Sequence, residues 1–323
     1  MPLSNFSSPS ELFDHSPVLA LGGGLFFLLG PGLSIMRYLS YKLVYERSNK
    51  VKGKQFLVTG ACGALGEELC LELARKGAHT LILWDVRDDC LEKTKTMLVQ
   101  QYPDLRVVTN RVNLMSMEEL RKTAREVMDD KSLSIDVVVN VAGIFFSGLI
   151  SELTDEQEQA TMQVNYHAQT EMLKLFLPYL ETNGSGHIVG VASAASFNAG
   201  AAMASYCASK FALRAYYEAV ACELTIKRSP VTVSLFCPGA FQSKLFQGFH
   251  LPLLPALHAS SVANALLNMS IERRYAISLY PSYLSPLPVV SAMLNSLGAM
   301  LVVPINPVSN WKGLLHAKES MGR

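Results

Sequence analysis

The stretch Tyr206-Cys207-Ala208-Ser209-Lys210 places a phenol and an ammonium four positions apart. On a helix that spacing puts both on one face. A nearby ammonium favours the phenolate and lowers the tyrosine pKa towards the working pH. Such a tyrosine can exchange a proton with a substrate hydroxyl or carbonyl. The same spacing occurs in exposed helix pairs that do no chemistry, so a third group matters. Ser193 is that group. It ends the apolar run HIVGVAS, 13 residues before Tyr206, where a hydroxyl can hold a substrate oxygen beside the phenol.

A second constellation suits a nucleotide. TGACGALG at 59–66 follows the apolar run QFLV and precedes the helical pattern EELCLELARKGA. Gly60 permits a tight turn at the end of a strand. Gly63 lets the backbone approach a pyrophosphate, and Gly66 lets the helix start close to the sheet. The amides of Cys62, Ala64 and Leu65 complete a helix N-terminus that can accept phosphate charge. A glycine-rich turn alone is a weak signal, and its position between strand and helix strengthens it. The run LILWDV then brings in Asp85, 19 residues past Gly66. A carboxylate there accepts hydrogen bonds from both adenosine ribose hydroxyls and repels a 2′-phosphate, which favours NAD over NADP. Arg87 stands close enough to leave NADP open.

These groups need a scaffold. Short apolar runs at 56–59, 81–84, 106–109, 135–141, 187–191 and 231–236 read as strands. Stretches at 66–76, 116–129, 156–180 and 204–227 have helical period. The alternation predicts an α/β fold, a doubly wound parallel sheet of Rossmann type, with ligands beyond the carboxyl ends of the strands. The expected organisation is one catalytic domain over 51–275. It is preceded by a tail and membrane anchor (1–50) and followed by an apolar, membrane-associated extension (276–323).

Composition narrows the partners. Net charge is +1, so no nucleic-acid partner is expected. Charged residues make up only 17% and mean hydropathy is +0.22, both leaning towards membrane contact. The six cysteines include no C-x-x-C, and the seven histidines have no metal-ligand spacing. No metal site is expected, and the thiols suit a reduced, cytosol-facing domain. Residues 16–36 carry no charge and reach the roughly 20 residues of a spanning helix. Five glycines and Pro31 leave a hairpin insertion, or a buried core helix, open. The basic residues after it, from Arg37 to Lys54, place the following domain in the cytosol. From Arg274 to Lys312 there is again no charge, and five prolines break the run. It reads as a lip on the membrane or over a hydrophobic substrate entrance.

Taken together, TGACGALG, Asp85, NVAG at 140–143, Asn165, Ser193, YCASK and Pro238-Gly239 resemble the short-chain dehydrogenase/reductase family over roughly 53–280. The resemblance implies that Tyr206 is the general acid/base and that Lys210 binds the nicotinamide ribose and lowers the Tyr206 pKa. It implies that Ser193 orients the substrate carbonyl and that Asn165 supports a proton-relay water. Asn140, Ala142 and Gly143 would line the cofactor near the central strand, with Pro238 and Gly239 beside the nicotinamide. Three positions depart from the family. Val141 replaces an asparagine, Asn113 stands where an aspartate contacts adenine, and Ala64 replaces a glycine of the phosphate turn. The last is tolerable if its φ is negative.

The glycine spacing in TGACGALG fits sugar-nucleotide epimerases better than single-domain dehydrogenases. Only 113 residues follow Lys210, however, too few for an epimerase substrate domain. The apolar ends, Phe197, Met203 and the loop AFQSKLFQGFHLPLLPAL suggest an apolar pocket. They resemble the membrane-bound branch acting on retinol, hydroxysteroids and long-chain lipids. The expected function is a membrane-associated oxidation or reduction of a lipophilic alcohol or ketone, at the endoplasmic reticulum or lipid droplets, with NAD, and pairing into a homodimer stays open. Alternatives are an NADPH-dependent 3-ketoacyl or sphingoid ketone reductase and a non-catalytic membrane or lipid-droplet scaffold.

Overall fold

The computed structural model describes residues 50–243, 256–272, 276–281 and 284. All belong to one unit, Lys50–Arg323. Its sheet has seven strands: β1 (Gln55–Thr59), β2 (Thr80–Asp85), β3 (Arg106–Arg111), β4 (Val137–Asn140), β5 (Gly186–Val191), β6 (Val231–Pro238) and β7 (Ala276–Tyr280). Every pairing is parallel, in the order β3-β2-β1-β4-β5-β6-β7. The expected Rossmann-type α/β architecture is therefore present.

Helices α1 (Ala64–Arg75), α2 (Asp88–Gln101) and α7 (Ala259–Glu272) cover one face. Helices α3 (Met117–Asp129), α5 (Ala168–Thr182) and α6 (Ala204–Lys227) cover the other, while the short α4 (Asp155–Met162) leads into α5. The inner strands are largely apolar on both sides because both faces are covered. Along β1, Phe56 and Val58 pack with Leu69 and Leu73 of α1, while Leu57 between them packs into the opposite core with Phe176 of α5 and Tyr217 of α6. That alternation is the two-residue period of a strand.

The chain crosses the sheet between β1 and β4. It runs outward through β2 and β3, then returns to the other side of β1. The carboxyl ends of β1 and β4 thus form the crevice where doubly wound sheets bind ligands. Gly60 and Ala142 face each other there. A Cβ on Gly60 would approach the Ala142 Cα to 2.7 Å, and Gly60 has a φ of 67°. Both facts require glycine.

The structure extends the sequence reading in three places. Helix α2 was not expected, because DDCLEKTKTMLVQQ buries only Leu91, Thr94 and Leu98 and its periodic signal is faint. Helix α7 was also unexpected. Strand β7 lies beyond 275, within the stretch assigned to the apolar extension, yet it pairs with β6 from Ser234 to Pro238. Strand β4 is shorter than the expected 135–141. The proposed anchor at 16–36 and the chain beyond 284 lie outside the described residues. Among the described residues no helix is long and apolar enough to cross a membrane, and no group of side chains is arranged to hold a metal ion.

Candidate active site

A cleft of about 590 Å³ opens at the carboxyl edge of the sheet. Its floor is the glycine turn. Gly63 donates to the Gly60 carbonyl at 3.0 Å and caps α1 in extended conformation. A Cβ on Gly66 would overlap the Gly60 carbonyl oxygen and lie 2.9 Å from the Ala61 Cα, so the helix starts against the turn with no side chain between. Ala64 is the first residue of α1 and is not among the residues of positive φ. Replacing glycine there carries no backbone strain.

Asp85 ends β2 and is 9% exposed. Its Oδ2 accepts from the Cys62 amide at 3.0 Å, and its Oδ1 accepts from the Arg87 amide and Nε, both at 3.2 Å. Arg87 also donates to the Cys62 carbonyl at 2.6 Å. The carboxylate is thereby tied to the phosphate turn, and its cationic partner lies on the same wall of the cleft.

The catalytic candidates meet at the other end. Ser193 follows β5 and caps a single 3-10 turn (Ala194–Ser196), its Oγ accepting from the Ala195 amide at 3.1 Å. That bond orients the hydroxyl, which acts on the Tyr206 phenol as a near neighbour. Tyr206 and Lys210 are 4% and 3% exposed on the first turns of α6. The Lys210 Nζ lies 5.7 Å from the Tyr206 ring centroid and donates to the Val191 carbonyl at 3.0 Å. Asn165 is fully buried in a π-helical step, Gln163–His167, between α4 and α5. Its Oδ1 accepts from the Ile144 amide at 2.8 Å, and its Nδ2 donates to the Ile144 carbonyl at 2.9 Å and to Ser209 Oγ at 3.1 Å. The π step, a common feature of functional sites, thus binds the loop after β4 to α6. Gly143 leaves room between them, since a Cβ there would lie 3.3 Å from Asn165 Oδ1 and 3.6 Å from Lys210 Nζ.

The electrostatics differ from the sequence expectation. Lys210 was expected to lower the Tyr206 pKa. In the protein without cofactor, burial raises the phenol above its ordinary value, and the neighbouring Ser193 hydroxyl offsets only part of this. Burial also pushes Lys210 down to about 8. Desolvation acts on both groups and favours the neutral form of each. This has a consequence for stability. Below about pH 8 the folded protein carries a buried ammonium at full cost, because the unfolded lysine releases its proton only near pH 10.5. The folded form sheds the proton first, so stability from this group rises between those values. Lys210→Met removes the cost. Its melting temperature without cofactor is expected to exceed that of the wild type most at about pH 7, with the difference shrinking towards about pH 10. Thermal melts of both proteins across that range check it, and a difference independent of pH overturns it.

Among the other expected residues, Gly60, Cys62, Gly63, Ala64, Leu65, Gly66, Asp85, Ala142, Gly143, Pro238 and Gly239 all line the cleft with Ser193, Tyr206 and Lys210. Asn113, Asn140 and Asn165 do not. The Asn113 Oδ1 is turned to the Met115 amide at 3.0 Å, and its neighbours Val112 and Leu114 line the cleft instead. Asn140 is 1% exposed beneath the site, beside the Tyr217 phenol. Met203 packs with Tyr206, Cys207 and Phe145, whose ring stands edge-on to Tyr206 at 5.1 Å. Phe197 turns away and lies under the Arg214 guanidinium at 4.5 Å. Phe145 and Cys90 were missed by sequence reasoning. Phe145 follows NVAG by two positions, the one signal available, and Cys90 sits on the unexpected helix α2.

The short chain dehydrogenase family pattern matches residues 54–251. Human epidermal retinol dehydrogenase 2 is 26% identical over 300 residues, covering 91% of this chain and 94% of that protein. Human retinol dehydrogenase 10 is 31% identical over 244 residues, covering 67% and 71%. A short chain dehydrogenase from Burkholderia cenocepacia J2315, solved in complex with NADP, superposes with a TM-score of 0.65 at 26% identity, covering 78% of this chain and 98% of that one. The glycine turn, free of side chains at its closest approach, fits a dinucleotide pyrophosphate in this chain as well. The chain belongs to the short-chain dehydrogenase/reductase family, on the branch that these retinol dehydrogenases represent, and is an NAD(P)-dependent oxidoreductase of alcohols and ketones.

Proposed function

We propose that the protein oxidises or reduces a lipophilic alcohol or ketone of retinoid, steroid or long-chain lipid type, with NAD as the favoured cofactor. The observation that carries this reading is the placing of Ser193, Tyr206 and Lys210 in the same cleft as the glycine turn. The bound nicotinamide supplies the hydride acceptor or donor. Tyr206 moves the proton of the substrate oxygen, and Ser193 holds that oxygen in place. Lys210 and Asp85 would hold the two ribose units, and Asn165 keeps the loop after β4 in register with α6. Met203 and Phe145 pack around Tyr206, and apolar surroundings of this kind suit a lipid better than a sugar.

The same reading includes membrane association through the charge-free segment at 16–36, with the catalytic domain towards the cytosol at the endoplasmic reticulum or a lipid droplet. Its support is the uncharged run followed by basic residues. Pairing of two copies would cover the exposed Phe211 and Ile226 of α6. The test is a screen of detergent-solubilised protein with NAD and NADP in turn against retinoids, steroids, sphingoid bases and fatty alcohols. Turnover of one lipophilic class with NAD is expected. Strong preference for NADP overturns the Asp85 assignment, and turnover confined to polar alcohols overturns the substrate class.

A further inference from the structure

The adenosine end of the cleft holds two thiols that the proposed reaction does not use. Cys62 lies in the glycine turn and Cys90 in the first turn of α2, and both line the cleft. Their contacts cross. The Cys62 Sγ donates to the carbonyl of Arg87, three residues before Cys90, at 3.9 Å. The Cys90 Sγ donates to the carboxylate of Glu67, five residues after Cys62, at 3.7 Å. Each sulfur therefore points at the element that carries the other. The remaining cysteines are placed differently. Cys70, Cys207 and Cys237 are buried elsewhere, and Cys222 is exposed on α6.

We propose that Cys62 and Cys90 are a thiol modification site, oxidised by a small disulfide such as glutathione disulfide to an intrachain disulfide that closes the cofactor cleft. Cys90 is the attacking thiol, because it is only partly buried while Cys62 is 5% exposed. Burial, with Cys90 beside it, also holds Cys62 protonated. Cys90 passes its proton to Glu67 and attacks one sulfur of the oxidant. The oxidant's disulfide breaks, one glutathione leaves as a thiol with that proton, and the other stays on Cys90. The Cys62 sulfur then displaces the second glutathione, which leaves with the Cys62 proton. Two protein thiols are oxidised and one disulfide is reduced to two thiols.

The consequence follows from where the bond forms. A disulfide holds its sulfurs about 2.05 Å apart. Reaching that separation draws the Cys62 side chain off the Arg87 carbonyl towards α2. The Cys62 amide, 3.0 Å from Asp85, moves with it. The new bond ties the phosphate turn to the first turn of α2, the two walls between which the adenosine end of a dinucleotide must lie. Bound cofactor in turn shields both sulfurs. The inference rests on cofactor occupying this cleft, so binding by the reduced protein is measured first.

The experiment uses full-length protein in detergent. NADH affinity is read by fluorescence before and after incubation with glutathione disulfide, and the cysteines are mapped by non-reducing peptide mass spectrometry. Reduced protein is expected to bind NADH, and failure there strikes the cofactor reading alone. Oxidised protein is expected to show a Cys62–Cys90 peptide and at least about tenfold weaker NADH binding, restored by dithiothreitol. NADH present during oxidation is expected to slow formation of that peptide. Cys90→Ser protein is expected to bind NADH equally before and after oxidant. A glutathione adduct on Cys90 in place of the disulfide, a disulfide with unchanged affinity, or an undiminished response in Cys90→Ser overturns the proposal.

Discussion

Tyr206→Phe is expected to lower turnover by about three orders of magnitude, within the usual range for removing a general acid/base, while NADH still binds. The substitution removes one oxygen from a residue that is 4% exposed. Its ring keeps the edge-on contact with Phe145 and the packing with Met203, so the fold has no reason to change. Ser193 keeps the Ala195 amide. The loss is therefore expected in kcat, with the dissociation constant for NADH changing little. Single-turnover kinetics and a binding titration on the same preparation separate the two. Activity near that of the wild type would remove Tyr206 from the proton-transfer role.

The second large effect is expected at the opposite end of the cleft. Gly66→Ala puts a methyl group into the Gly60 carbonyl oxygen, with Ala61 Cα 2.9 Å away. Both contacts are with backbone atoms, so the clash is relieved only by lifting α1 from the turn. Crowding of this kind costs about 1–3 kcal/mol, which in binding corresponds to a loss of up to about 100-fold in affinity. The turn is short and α1 packs through Leu69 and Leu73 on the sheet. The strain is therefore expected to appear mostly as a displaced turn and weakened NADH binding, with a smaller fall in melting temperature. At Gly63 a Cβ would meet the Gly60 oxygen at 3.3 Å, and its φ of −79° suits any residue, so Gly63→Ala is expected to leave the melting temperature near that of the wild type. A Gly66→Ala protein that binds NADH as tightly as the wild type would show that the turn is not where the phosphates sit.

Sequence alone determined the fold class, and most of the residues it singled out meet in one cleft. Hydrophobic period is a local property, and a strand buried on both faces has to be apolar throughout, so β1, β2 and β5 were legible from their own residues. Tyr206 and Lys210 share a helix face by spacing, and Gly60, Gly63 and Gly66 follow from what a phosphate turn can accommodate. Helix α2 was hidden because only three of its residues reach the core, too few to mark a period. Strand β7 was hidden because its partner, β6, is supplied by a distant part of the chain.

Tertiary structure decided what depends on several segments at once. That Gly60 faces Ala142, that Asn165 bridges the Ile144 loop and Ser209, and that Phe197 turns to Arg214 are facts about neighbours far apart in sequence. Protonation belongs to the same group. Spacing put an ammonium near Tyr206 and suggested a lowered pKa, but burial by residues from β5, β6 and α6 raises it and lowers Lys210. Desolvation is set by everything packed around a group, and no local stretch of sequence encodes it. The pairing of Cys62 with Cys90 has the same origin. Their contacts through Arg87 and Glu67 exist only because α1 and α2 start side by side at the edge of one parallel sheet.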